Sequence, residues 1–375
     1  MRLLTRLKDK IAKKLQKKLA LYKENNIIKV SKNKEDLMAQ IGILEQAINI
    51  IKGKDLTIVL PEGNDPRVLE AAIKHQEEGL IKPLVLGDQG EIQKTADKLG
   101  KSISSIKILN PETFEKFEEM VNAFVEIRRG KVDKEEAEFI LRRDLNYFGV
   151  MLVKLGLADG LVSGAIHTTA DTIRPALQII RTIPGRKRVS GVMVMLGPDG
   201  EQLVFADTAV NITLEADELA EVAVETSHTA KTFGLDPYVA MLSFSTHGSA
   251  HHDLATKVAR ATSLAKEYNP DIKIVGEIQF DAAIDPETAK NKAPESDVAG
   301  KCNVFIFPDL QAGNIGYKIA QRLGGYKALG PILQGLNAPV NDLSRGCSAQ
   351  DVYEIAIITA MQAAERAREA EEAAK

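Results

Sequence analysis

Short apolar runs alternate with helix-like stretches along most of this chain, and that alternation restricts the possible folds more than any other feature. Residues 56–60, 83–87 and 106–109 read as buried strands, separated by segments of helical spacing. Asp65 followed by Pro66 marks a helix start, an N-cap with proline at the first helical position, and the helix runs through His75. Residues 112–129 and 134–143 are helical by period, with the basic corner Arg128-Arg-Gly-Lys131 between them. Beyond residue 185 the alternation resumes. Strands at 192–196 and 203–206 flank the hairpin signal Gly197-Pro-Asp-Gly200, and further strands fall at 239–244, 272–275 and 304–308. Parallel neighbours need crossover connections, so this order implies an α/β protein with largely parallel sheets.

The 375 residues suffice for two domains with real cores, and 44% hydrophobic with 27% charged residues is ordinary globular usage. The net charge of −3 is unevenly spread: residues 1–23 hold nine Lys/Arg and one Asp, a charge of +8 that leaves −11 for the rest. An acidic body argues against a nucleic-acid groove. Leu4, Leu7, Ile11, Leu15, Leu19 and Tyr22 recur at helical spacing among those basic residues, as in a helix docked on the body, on a partner or on an anionic membrane surface. Residues 31–54 read as a second amphipathic helix. Cys302 and Cys347 form no disulfide framework and no metal-binding pair, which points to a reducing, cytoplasmic compartment. His247, His251 and His252 lack the carboxylate or thiolate spacing of a zinc site.

Two stretches carry concentrated chemistry. Residues 339–351, PVNDLSRGCSAQD, place Ser344, Arg345, Gly346, Cys347, Ser348 and Asp351 just before a helix over 349–375. Arg345 offers a planar fork of donors suited to phosphate, and Asp351 is a candidate base. Ser348 and Asp351 also have capping-box spacing, which gives the carboxylate a structural role that does not exclude a chemical one. In the second stretch, residues 159–174, a strand ends at Leu161-Val162 and Ser163-Gly164 turns. Thr168, Thr169 and Thr172 then lead into a helix starting near Ala170, bearing Arg174. A glycine turn with hydroxyls at a helix start is a place for an anion in an open α/β sheet. Neither nucleotide fingerprint is present. His167, taken alone, reads as a hydrogen-bonded loop residue.

These stretches, together with MLSFST at 241–246, QFDAA at 279–283, NVFIFPDL at 303–310 and AGNIGY at 312–317, resemble the phosphate acetyltransferases in order and separation from about residue 46 onward. The resemblance implies reversible acetyl transfer between coenzyme A and inorganic phosphate, with acetyl-CoA/CoA and phosphate/acetyl phosphate as substrates, no bound cofactor and no metal. It implies a two-domain, three-layer α/β/α fold like the isocitrate/isopropylmalate dehydrogenases, with the second domain inserted into the first, and a homodimer. Domain I would comprise residues 46–184 and 334–375, domain II residues 185–333, after an extension of residues 1–45. By matching motifs, Asp351 would deprotonate the coenzyme A thiol, Ser344 would stabilise the reacting groups, and Arg345 would hold the acyl phosphate. Ser163, Gly164 and Thr168 would help bind phosphate, and Arg174 and Arg128 would bind coenzyme A. His247 departs from the lysine usual there. Alternatives are a phosphate butyryltransferase and a non-catalytic acyl-CoA-sensing module.

Overall fold

The computed structural model describes residues 42–374. The basic segment 1–23 and residues 31–41 of the helix read over 31–54 lie outside them; within the remainder of the latter, Ile43–Ile51 is helical.

Five parallel strands form the first sheet: β1 (Thr57–Leu60), β2 (Lys82–Leu86), β3 (Lys107–Leu109), β4 (Gly160–Ser163) and, from far along the chain, β11 (Val340–Asp342). Their order is β11-β4-β1-β2-β3. Between β4 and β11 the chain builds a second sheet from β5 (Ser190–Leu196), β6 (Gln202–Ala206), β7 (Val239–Leu242), β8 (Ile274–Ile278), β9 (Val304–Ile306) and β10 (Lys327–Gln334), in the order β10-β5-β6-β9-β7-β8. Here β5 is antiparallel to both β6 and β10, while β6, β9, β7 and β8 run parallel. The fold is thus mixed α/β, with one parallel sheet and one largely parallel sheet, both covered by helices.

Local sequence accounts for many element ends. The Asp65 side chain accepts from Arg67 N, Pro66 opens the Pro66–Glu78 helix, and Gly79 closes it at φ 64° in the left-handed region. The long Ala349–Ala373 helix starts with Ser348 and Asp351 in a reciprocal capping box. Residues 352–361 of this helix are buried on every side, so it is a central element rather than a surface helix. It packs on β4, on the Pro66–Glu78 helix and on Ile43–Ile51.

Three features differ from the sequence expectation. The stretch 339–351 is not all loop, because Val340, Asn341 and Asp342 pair in register with Leu161, Val162 and Ser163 of β4. Residues 327–334 form β10 despite Gly330-Pro331; the register on β5 shifts between Leu329 and Ile332, which accommodates the missing donor at a bulge. Leu145–Lys154 is an additional helix, buried on most sides.

Candidate functional site

Strand pairing brings the two chemically loaded stretches together. Asp342, last in β11, lies beside Ser163, last in β4, at the carboxyl end of a parallel sheet, where open α/β folds bind ligands. Gly164 follows with φ 115°; a Cβ there would stand 2.6 Å from the Leu343 nitrogen, so only glycine lets the turn pass so close to the neighbouring chain.

Glu62, just after β1 and almost fully buried, organises that turn. One carboxylate oxygen accepts from the backbone N–H of Gly164 (3.1 Å) and Ala165 (2.8 Å). The other accepts from Ile166 N (2.9 Å) and His167 N (3.0 Å) and lies 2.7 Å from His167 Nδ1. Burial pushes the Glu62 carboxyl up, but the His167 ring and the backbone donors outweigh it and hold the group below the ordinary carboxylate range. The hydrogen bond to Glu62 raises His167 in turn. His167 is therefore a hydrogen-bonded loop residue, but one paired to a carboxylate rather than to the loop itself.

The same contacts engage donors of the turn expected to bind phosphate. Gly164 N, which would have held an anion, already serves Glu62, and Thr168 is engaged in a capping box with Asp171 (Oγ1 to Oδ2, 2.7 Å). Ser163 is fully buried, and its hydroxyl has no partner among the described residues. The turn meets its own need for negative charge from within.

On the opposing loop, Ser344, Arg345 and Gly346 are exposed. No side-chain hydrogen bond or ion pair of Arg345 occurs among the described residues, so its donors face outward unspent. Ser344 and Asp351 line one cavity of about 100 Å³ together with Gly346, Cys347, Tyr317, Gln321 and Arg322. Asp351 Oδ2 accepts from Ser348 N (2.8 Å) and Ser348 Oγ (2.9 Å), and Oδ1 carries no hydrogen bond among the described residues. The capping reading is thus realised on one oxygen, and the other is not engaged by it. Cys347 is buried, and burial pushes its thiol up to about 11, in spite of the opposing Arg67 charge.

Arg174 is exposed, and Arg128 closes its helix with a buried Nε that has no partner among the described residues. Both lower the Tyr147 phenol against the larger effect of burial, so the two arginines share one neighbourhood although 46 positions separate them.

Three charged residues of this region carry no local sequence signal for it: Glu62, Arg67 and Asp342. Glu62 and Arg67 sit in PEGNDPR at 61–67, where only the helix start was recognised. Asp342 lies inside the loaded stretch, buried, with Oδ2 accepting from Thr169 Oγ1 (2.7 Å) and Oδ1 without a partner among the described residues. Burial, opposed by the Thr169 hydrogen bond, raises its carboxyl to about 6.

An exposed arginine, a serine and a carboxylate gathered at the end of a parallel sheet, with no activated protein thiol, suit transfer of an acyl group between two bound substrates. Solved structures that share this architecture and are similar in sequence include two phosphotransacetylases. A phosphotransacetylase from Streptococcus pyogenes is 57% identical with a TM-score of 0.83, covering 86% of this chain and 98% of that one. The EutD phosphotransacetylase from Staphylococcus aureus is 54% identical with a TM-score of 0.81, covering 87% and 99%. A branched-chain phosphotransacylase from Enterococcus faecalis shares the fold at 19% identity and a TM-score of 0.60, with coverages of 82% and 99%. In sequence, the phosphate acetyltransferase of Bacillus subtilis is 56% identical over 313 residues, covering 84% of this chain and 96% of that one. Residues 42–360 match the family described as phosphate acetyl/butaryl transferase, and the chain belongs to that family. It is an acyltransferase.

Proposed function

We propose that the chain is a phosphate acetyltransferase that exchanges acetyl between coenzyme A and inorganic phosphate by direct thiolate attack within a ternary complex. The observation that carries this reading is the shared cavity of Ser344 and Asp351, beside an exposed Arg345 whose donors are free among the described residues. Asp351 Oδ1 takes the proton from the coenzyme A thiol, whose ordinary pKa of about 8.5 leaves little thiolate at neutral pH. The sulfur attacks the acetyl carbonyl, and the resulting oxyanion receives hydrogen bonds from Ser344 and Arg345. The bond between the carbonyl carbon of acetyl phosphate and its bridging oxygen then breaks, and phosphate leaves with that oxygen into the Arg345 fork. The high thiol pKa of Cys347 favours this route over an acetyl-cysteine intermediate.

Arg128 and Arg174 bind coenzyme A. Phosphate sits on Arg345, with Thr168 and the Ser163-Gly164 turn shaping the wall rather than supplying free donors. The segments 46–184 and 334–375 act as one domain and 185–333 as the other, in keeping with the two sheets. A homodimer accords with the exposed stripe Ile315, Ile319 and Leu323 on one helix face. No helix of the described residues is long and apolar enough to cross a membrane. Both cysteines are free, which favours the cytoplasm. Residues 1–23 would then provide any peripheral membrane or partner contact.

The test is thiol release from acetyl-CoA when phosphate is added, for wild type and Arg345→Ala. Phosphate-dependent release that Arg345→Ala abolishes supports the reading. Absence of release with folded wild-type protein points to an acyl-CoA-binding module instead, and faster release from butyryl-CoA to the butyryltransferase.

A further inference from the structure

The proposed reaction leaves Glu62 and Arg67 without a role, yet both are committed to several partners at the site. Four consecutive backbone N–H groups, Gly164 to His167, converge on the single carboxylate of Glu62. Such a run of donors would otherwise be an anion nest. Arg67 lies five residues on and is itself held by Asp65, with Nε 3.0 Å from Oδ1 and Nη2 2.8 Å from Oδ2. Its remaining donors cross to two distant loops: Nη2 to Ala165 O (2.8 Å), and Nη1 to Arg345 O (2.8 Å) and Cys347 O (3.0 Å). One guanidinium thus fastens the Ser163 turn to the loop bearing Ser344 and Arg345, and one carboxylate fixes the shape of that turn.

We infer that Glu62 and Arg67 are positioning residues that lock the two loops into one geometry and, by filling the N–H nest, direct the phosphate to Arg345. This inference rests on the function proposed above. Neither residue touches a substrate in it. Arg67 acts through the carbonyls of Arg345 and Cys347, which set the direction of the Arg345 side chain, and Glu62 acts through the turn that Arg67 grips. Lysine cannot replace Arg67, because an ammonium group lacks the planar fork that reaches Asp65 and three carbonyls at once.

The experiment uses the full chain with Arg67→Ala, Arg67→Lys, Glu62→Ala and Glu62→Gln. A displacement of about 1 Å in a reacting group can lower turnover about 100-fold, so kcat should fall 10- to 100-fold while KM for acetyl-CoA stays within about threefold. Guanidinium at tens of millimolar should restore part of the Arg67→Ala rate, and formate part of the Glu62→Ala rate, by occupying the vacated positions. Arg67→Lys should remain impaired. Deuterium exchange gives a readout independent of turnover: Arg67→Ala should speed exchange at least tenfold in both 164–168 and 345–348. If either alanine variant unfolds, Arg67→Lys and Glu62→Gln carry the kinetic and exchange tests. Folded variants with kcat within threefold of wild type, or faster exchange confined to one loop, overturn the inference. Wild-type protein inactive toward acetyl-CoA and phosphate would refute the proposed reaction instead, and the exchange result would still decide whether the two loops are coupled.

Discussion

Asp351 has two separable duties, and replacing it and its capping partner one at a time tells them apart. In Asp351→Asn the amide oxygen can still accept from Ser348 N, now 2.8 Å from Oδ2, so much of the cap survives. The free oxygen, however, can no longer take a proton. General-base assistance contributes about 10²- to 10⁴-fold, so at about 1.36 kcal/mol per decade the transition state should lose about 3–5 kcal/mol. Ser348→Ala does the reverse: it removes the hydroxyl that accepts from Asp351 N at 3.2 Å and donates to Oδ2 at 2.9 Å. Loss of such a cap is worth about 1 kcal/mol, a melting shift of about 2–4 °C. Steady-state thiol release, with thermal melts of the same samples, reads both quantities. Asp351→Asn should lower kcat at least about 100-fold with little change in melting temperature, and Ser348→Ala should lower kcat less than about tenfold. Equal kcat losses in the two variants, or near-normal turnover in Asp351→Asn, would refute the base assignment and leave only the cap.

Three further expectations follow from the same geometry. Ser344→Ala should reduce kcat by about 10²-fold, the usual effect of removing one oxyanion donor, with KM for acetyl-CoA nearly unchanged; steady-state kinetics decides this. Cys347→Ala should keep turnover within about threefold, and the wild-type Cys347 thiol should resist iodoacetamide at pH 8, because its pKa lies near about 11. Asp342 is raised to about 6 when folded, above the ordinary carboxylate value of about 3.9, so the native state binds more protons in that window. Its contribution is therefore present below pH 4 and lost as pH rises through about 6. Asp342→Asn should flatten the fall in stability over that interval and melt higher than wild type at pH 7.5, as denaturant unfolding across pH would show.

The alternation of apolar runs with helical spacing was legible because it is local. Buried strands such as Thr57–Leu60 and caps such as Asp65 with Pro66, or Ser348 with Asp351, need only a few neighbouring residues to declare themselves. The residue types at Ser344, Arg345 and Asp351 were legible for the same reason, since a hydroxyl, a guanidinium and a carboxylate keep their chemistry wherever the chain places them. β10 was hidden by Gly330-Pro331, which breaks the expected strand pattern and is tolerated only because β5 accommodates a register shift. The Leu145–Lys154 helix was hidden by its nearly all-round burial, which erases the amphipathic period.

Other features depend on partners at long range. The pairing of Asp342 with Ser163 links positions 179 residues apart, and only strand register sets it. Glu62 reads in sequence as one carboxylate after a strand, and Arg67 as one cation in a first helical turn. That Glu62 fills four backbone donors 102 to 105 residues away, and that Arg67 joins two loops 98 and 278 residues away, follows from the carboxyl ends of β1, β4 and β11 lying side by side. Sequence by itself determined which chemical groups the protein possesses and which short segments are helix or strand, because those depend on local propensity and burial pattern. Tertiary structure alone decided that the turn's anion-binding donors are taken from within and that the Arg345 side chain is left without a partner among the described residues, because hydrogen-bond satisfaction is settled by whichever buried group the fold brings within about 3 Å.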